Sequence, residues 1–320
     1  MTAVELRTML TEATGRELPA DLTYRFATPR ELAAHLETGA ESSAPSPHSV
    51  ESLYVDACLD GRGREFMNVL TQLARFRPAF DNPLDLDHAP RPVRLARGDG
   101  GPHLILLPAI VGFAGAQQFT RFASGFASHD VSVLPEPGFR PGELLPADLD
   151  VAVESLAMAA VRLANGQPFV VGGYSSGAFV AHEVVHRLEK RGHAADGLVL
   201  LDVYLPQAAA AIPGYEQGVL DGLVARRDLI MGAGDEWPTA MARYWDYFWD
   251  WKPAQTSTPT LLVRATEPIS AEAAAHDWRS DWEFDCDVVD VPGNHFTFME
   301  DHAAQTSRVV REWLMRKDRT

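Results

Sequence analysis

Ser175 stands between two glycines, in Gly173-Tyr174-Ser175-Ser176-Gly177. An apolar run from Pro168 leads into it, and residues with helix-like spacing follow. Glycines on either side have no Cβ, so the chain can fold sharply there and hold the serine in a strained, exposed position between strand and helix. The free N–H groups at the start of that helix favour negative charge beside the serine oxygen. A glycine-rich turn without chemistry is the competing reading, and the strand before and helix after weigh against it. A serine hydroxyl is a weak nucleophile until a base takes its proton. Of the 11 histidines, His295 has the right setting, in "DVPGNHFTFMEDHA", where Pro292 and Gly293 force a turn after a strand-like run. His302 is expected at the surface of the last helix. His182 and His186 are expected in the helix after Ser175, pointing away along it. The base needs an acid to orient it. Asp202 ends the run "GLVLLD" and Glu267 follows "PTLLVRA"; both are strand C-terminal ends, where open α/β sheets place their sites, and spacing alone does not separate them. Two backbone N–H groups should face the developing oxyanion. The amide of Ser176 is one. The other is expected in "AIVGFAG" (109–115), from Ile110 or Val111.

Elements that position these residues can be read from the apolar pattern. Strand-length apolar runs occupy 103–110, 131–137, 168–174, 197–203, 259–265 and 286–292, and helix-length segments alternate with them. Continuous apolar runs suit parallel strands with both faces covered, so the pattern predicts an α/β sheet with crossover helices. Residues 206–256 break the rhythm and hold Trp237, Trp245, Trp249, Trp251, Tyr244, Tyr247 and Phe248, which predicts a helical lid rather than a plain loop. Residues 50–80 predict two helices, with stripes at Val50, Leu53, Tyr54, Ala57 and Cys58 and at Phe66, Val69, Leu70, Leu73 and Phe76. Residues 37–49, rich in Ser, Pro and Ala, predict a linker. The first 36 residues predict two short helices, the second opened by Thr28-Pro29-Arg30-Glu31, a capping-box start. That piece is too small to bury a core alone.

Composition narrows the class. The chain has 320 residues, 46% of them hydrophobic and 22% charged, with a net charge of −16. Such a chain can bury a sizeable core, and its acidity argues against a nucleic-acid partner. Cys58 and Cys286 are too few for a disulfide framework. The sequence holds no apolar run of membrane-spanning length and no signal-peptide pattern at its start, so no membrane association and a cytoplasmic location are expected.

With those residues placed, the chain resembles, over residues 50–316, the chain-releasing thioesterase domain at the end of modular type I polyketide synthases. "QPFVVGGYSSGAFVAHEVVHRLEKRGH", "GLVLLDVYLP", "PTLLVRATEP" and "VPGNHFTFMEDHA" carry the likeness. The resemblance implies an α/β-hydrolase fold: a mostly parallel central sheet, helices on both faces and a helical lid. It implies Ser175, Asp202 and His295 as the catalytic set, with Asp202 preferred to Glu267, and Ile110 with Ser176 as backbone oxyanion donors, where family members often have Thr at position 110. It further implies dimer-type helices at 50–80 and a lid at 206–256 roofing a substrate channel. Tyr174, Tyr204, Trp245, Tyr247 and Trp249 are the candidate channel residues, although plain packing of a lid helix explains the aromatic cluster as well. The implied activity is release of a polyketide from carrier-bound phosphopantetheine, by ring closure or hydrolysis, with no metal or soluble cofactor. Residues 1–36 resemble the second half of an acyl carrier domain, without the serine that bears phosphopantetheine. The implied partners are an upstream carrier domain and synthase module and a second copy of the chain. Alternatives are an editing or peptide-synthetase-type thioesterase and, in another class, an inert carrier-docking domain.

Overall fold

A computed structural model describes residues 3–16, 18, 22, 29–38, 48–98, 100–111, 115–226 and 234–317. Helices α1 (Ala3–Thr14) and α2 (Pro29–Thr38) come first, then α3 (Val50–Leu59) and α4 (Gly63–Ala74). The sheet strands are β1 (Val93–Ala96), β2 (His103–Leu107), β3 (Val131–Val133), β4 (Phe169–Tyr174), β5 (Gly197–Leu201), β6 (Thr260–Ala265) and β7 (Asp287–Val291). Between and after them run α5 (Thr120–Ala123), α6 (Leu149–Ala164), α7 (Gly177–Lys190), α8 (Pro206–Ala211), α9 (Tyr215–Ala225), α10 (Glu236–Phe248) and α11 (Ala303–Lys317).

These strands form one seven-stranded sheet in the order β1-β3-β2-β4-β5-β6-β7. Only β1, at the edge, is antiparallel to its neighbour. Alternate side chains of each strand enter opposite cores. Ile105, Leu107, Val171, Leu198 and Leu200 pack with Leu156, Ala160, Val184 and Leu188 of α6 and α7. Leu104, Leu106, Val170, Val199 and Leu201 pack on the other face with Phe119, Phe122, Val310 and Trp313. Burial on both faces is why β2 to β6 read as apolar runs, whereas β7, at the other edge, has only Val291 fully buried. The short strand β1 was not among the expected runs: only Val93 of its four residues is buried, so no strong pattern marks it.

The N-terminal helices brace the lid. Trp237 of α10 meets Tyr54 of α3 edge-on, with ring centres 5.7 Å apart, and its Nε1–H donates to Glu51 Oε1 at 3.2 Å. Arg77, just past α4, donates to the Glu236 carbonyl at 2.8 Å. The expected stripe on α4 divides in two: Leu70 is fully buried in this chain, while Val69, Leu73 and Phe76 stay exposed. In the first 36 residues, Leu18, Leu22 and Leu32 cluster with Leu6, Leu10 and Leu36. The Thr28 cap lies outside the described residues. So do 39–47 of the expected linker, whose first two residues belong instead to α2.

Candidate active site

Strand β4 ends at Tyr174, and the chain turns through Ser175 into α7. Ser175 takes the left-handed conformation, φ 54°, which costs a non-glycine residue about 1–3 kcal/mol. Its surroundings leave no alternative. Its N–H donates to the Leu201 carbonyl at 2.9 Å. A Cβ on Gly173 would lie 2.3 Å from the Gly177 carbonyl oxygen, and one on Gly177 would lie 2.1 Å from the Pro108 carbonyl oxygen. Both glycines of the motif are therefore demanded by backbone packing on two sides.

His295 follows β7, in the turn predicted from Pro292 and Gly293. Its Nε2 lies 2.8 Å from Ser175 Oγ and its Nδ1 lies 2.8 Å from Asp202 Oδ2. A carboxylate only accepts, so Nδ1 carries the proton and Nε2 is left to accept from the serine hydroxyl. Asp202 sits just beyond β5, also left-handed at φ 50°. It is fully buried, and its Oδ1 accepts from the Ala265 N–H at 2.9 Å. Glu267 is not brought to His295. It is exposed, and its N–H donates to the Gly293 carbonyl at 2.9 Å. Of the two candidate acids that spacing left open, the structure brings Asp202 to His295 and not Glu267. His182 and His186 lie along α7 away from this line, His182 with its Nε2 against the Ala254 carbonyl. His302 is not in the last helix as expected: it is half-buried in the turn before α11.

The oxyanion expectation needs correction. The Ile110 N–H does not stand free; it donates to Ser176 Oγ at 2.9 Å. The Val111 N–H donates to the Ala109 carbonyl at 2.9 Å. The remainder of the loop, 112–114, lies outside the described residues.

The channel candidates separate into different roles. Tyr174 is buried and no wall: its O–H donates to the His295 carbonyl at 2.7 Å, which fixes the histidine turn. Trp249 is exposed on the surface. Tyr247 packs, with its O–H donating to the Pro146 carbonyl at 2.7 Å. Trp245 meets Phe179 of α7 edge-on at 6.1 Å. Tyr204 does reach the site, with its ring centre 5.7 Å from that of His295. Tyr215 joins it at 6.3 Å from His295 and 4.6 Å from Tyr204, and was missed in the sequence. Pro213-Gly214 signals a turn there, but nothing local says that α9 folds back over His295. Burial, with the charge of Asp202 nearby, raises the pKa of both phenols and keeps them neutral donors. Among the described residues, no group of three or more His, Cys, Asp or Glu side chains is gathered to hold a metal ion. No helix among them is long and apolar enough to cross a membrane.

A serine on a strand–turn–helix, in line with a histidine and a buried carboxylate at the C-terminal edge of a mostly parallel sheet, defines a serine enzyme of the α/β-hydrolase class. The family model of the thioesterase domain matches residues 102–314, and the chain belongs to that family. It is 40% identical over 343 residues to the polyketide synthase GfsE of Streptomyces halstedii, covering 98% of this chain and 9% of the relative. It is 34% identical to the erythronolide synthase EryA3 of Saccharopolyspora erythraea, over 98% of this chain and 10% of that one. The chain thus spans about a tenth of the length of these relatives. Among solved structures, the NocB thioesterase domain from the nocardicin cluster, in covalent complex with a fluorophosphonate nocardicin G analog, shares the fold. Its TM-score is 0.56 at 20% identity, over 69% of this chain and 98% of that one.

Proposed function

We propose that the chain is the releasing thioesterase of a polyketide synthase, taking an acyl chain from the phosphopantetheine thioester of an upstream carrier domain. The observation that carries this reading is the unbroken Ser175–His295–Asp202 line, with 2.8 Å at each contact, in a chain of the thioesterase family. His295 Nε2 takes the Ser175 proton as Oγ attacks the thioester carbonyl. Asp202 holds the imidazole in the needed tautomer and stabilises its cation. The Ser176 amide, at the start of α7, faces the developing oxyanion. Collapse of the adduct breaks the C–S bond, and the thiolate takes the proton from His295. A hydroxyl or amine of the acyl chain, or water, then attacks the acyl-Ser175 ester through the same base. Ring closure requires that water be kept from the ester; the rings of Tyr204 and Tyr215 beside His295 support such a dry floor. No metal or soluble cofactor enters this scheme.

The exposed Val69, Leu73 and Phe76 of the α4 region support a homodimer through the N-terminal helices, since an apolar patch of this kind is normally covered. The relatives' size supports an upstream synthase module as partner. The test is a fluorophosphonate probe with intact-mass and peptide mapping, followed by product masses from a panel of synthetic acyl thioesters. Labelling at Ser175 and thiol release are expected. A panel turned over without an acyl-Ser175 intermediate would refute the reading, and purely linear products would assign plain hydrolysis.

A further inference from the structure

The proposed mechanism needs a second oxyanion donor, and the loop after β2 does not offer a free backbone one at the expected positions. The Ala109 N–H donates to Gln118 Oε1 at 3.0 Å, the Ile110 N–H to Ser176 Oγ at 2.9 Å and the Val111 N–H to the Ala109 carbonyl at 2.9 Å. All three amides from 109 to 111 are therefore already engaged. The acceptor of the middle one is the notable partner. Ser176 Oγ is a buried hydroxyl on the residue directly after the nucleophile, wedged between the serine turn and the 108–111 loop. A hydroxyl has one hydrogen to give and two lone pairs to receive. Its lone pair takes the Ile110 N–H, so its own hydrogen must point elsewhere. A hydroxyl that accepts from an amide is polarised into a better donor.

We infer that the Ser176 hydroxyl is itself a catalytic donor to the oxyanion, backed by the Ile110 amide, in place of a direct contact from that amide. As Ser175 Oγ bonds to the thioester carbon, the carbonyl π pair moves onto oxygen. Ser176 O–H and Ser176 N–H both donate to that oxygen, and no proton is transferred from either. The inference deepens the reading of Ser175 as nucleophile and rests on it. The sequence carries the distinguishing feature: a side chain with a hydroxyl at position 176, where alanine or another apolar residue would leave Ile110 free to face the oxyanion.

The two arrangements make opposite predictions for Ser176→Ala. If the hydroxyl is the donor, the variant loses it, and kcat for thioester cleavage and the rate of fluorophosphonate labelling fall together by about 10²-fold, with KM little changed. If the hydroxyl merely covers the Ile110 amide, its removal uncovers that amide and the rates hold or rise. Ser176→Cys keeps a small side chain with a weak donor and should fall between wild type and Ser176→Ala, which guards against a folding artefact in either variant. The measurement uses the full chain, with circular dichroism to show that each variant is folded. Wild-type labelling at Ser175 with an equal or faster rate in Ser176→Ala overturns the role of the hydroxyl alone. Absence of labelling at Ser175 in wild type overturns both readings.

Discussion

Replacing Asp202 with Asn removes one negative charge and changes one oxygen to NH₂, and the structure dictates which way that group must face. Asp202 Oδ1 accepts from the Ala265 N–H and Oδ2 from His295 Nδ1–H, in a fully buried position. An asparagine has a single oxygen for these two donors. If the oxygen stays on Ala265, the NH₂ faces Nδ1 and drives the imidazole proton to Nε2, where it can no longer accept from Ser175. If the amide flips, the NH₂ meets the Ala265 N–H and two buried donors confront each other, each unsatisfied at roughly 1–3 kcal/mol. The inactive arrangement is therefore favoured by about 2–4 kcal/mol, or roughly 30- to 1000-fold. Losing the carboxylate's support of the imidazolium removes about another 1–2 kcal/mol in the transition state. Together these predict a fall in the acylation rate of about 10²- to 10⁴-fold. The assay is stopped-flow thiol release under single-turnover conditions, with Glu267→Gln as control. Glu267 is exposed and away from His295, so that variant should keep nearly full activity. A crippled Glu267→Gln, or an Asp202→Asn within about tenfold of wild type, would refute the assignment.

Gly177→Ala should abolish labelling at Ser175 and lower stability, because its Cβ would meet the Pro108 carbonyl at 2.1 Å; a folded, labelling-competent variant would show that the turn can relax. Leu73→Asp with Phe76→Asp should give a monomer in light scattering where the wild type is expected to be the proposed dimer, while leaving the fold intact. Leu70→Asp should instead unfold the chain, since Leu70 is fully buried within it; equal behaviour of the two variants would overturn this division of the stripe. Glu136 is buried beside Tyr244, with Oε1 unpartnered among the described residues, and burial pushes its carboxyl up to about 8. The folded state then holds a proton that the unfolded chain releases. Stability from this group is greatest below about pH 4.5 and falls by up to about 1.4 kcal/mol per pH unit as pH rises to about 8. Glu136→Gln should flatten that decline in urea titrations at pH 5 and pH 8; an unchanged difference between the two pH values would sink the argument.

What could be read from the sequence was what local packing enforces. Leu198 and Leu200 face one core and Val199 and Leu201 the other, so β5 had to be apolar throughout, and the same holds for the other central strands. Gly173 and Gly177 mark the serine turn because backbone presses on both. Contacts set by the path of a long insertion left no such mark. Tyr247 and Trp249 looked like channel residues by composition, yet one hydrogen-bonds to Pro146 and the other is exposed. Tyr215, which lies beside His295, looked like an ordinary residue after a Pro-Gly turn. The engagement of the Ile110 amide also escaped the sequence, since motif spacing locates a loop near the nucleophile without saying which of its donors are already used.

Helix α9 and the histidine turn are held by shared contacts. At its start, α9 is tied by the Ser270 hydroxyl donating to the Gly214 carbonyl at 3.0 Å. Just past its end, Arg226 pairs with both oxygens of Glu300 at 2.7 Å and lies over the ring of Phe296 at 4.2 Å. Phe296 adjoins His295, and Tyr215 on the same helix packs against the imidazole. Glu300 is 41% exposed on its side chain, so solvent screens the ion pair and leaves it about 0.5–1 kcal/mol. The cation–π contact adds about 1 kcal/mol. The ion pair and the cation–π contact together supply about 2 kcal/mol at this end of α9, beside the packing of Leu220, Leu223 and Val224 on the core. Because Tyr215 of α9 and Phe296 both pack on His295, a displacement of α9 would have to repack the rings around the imidazole.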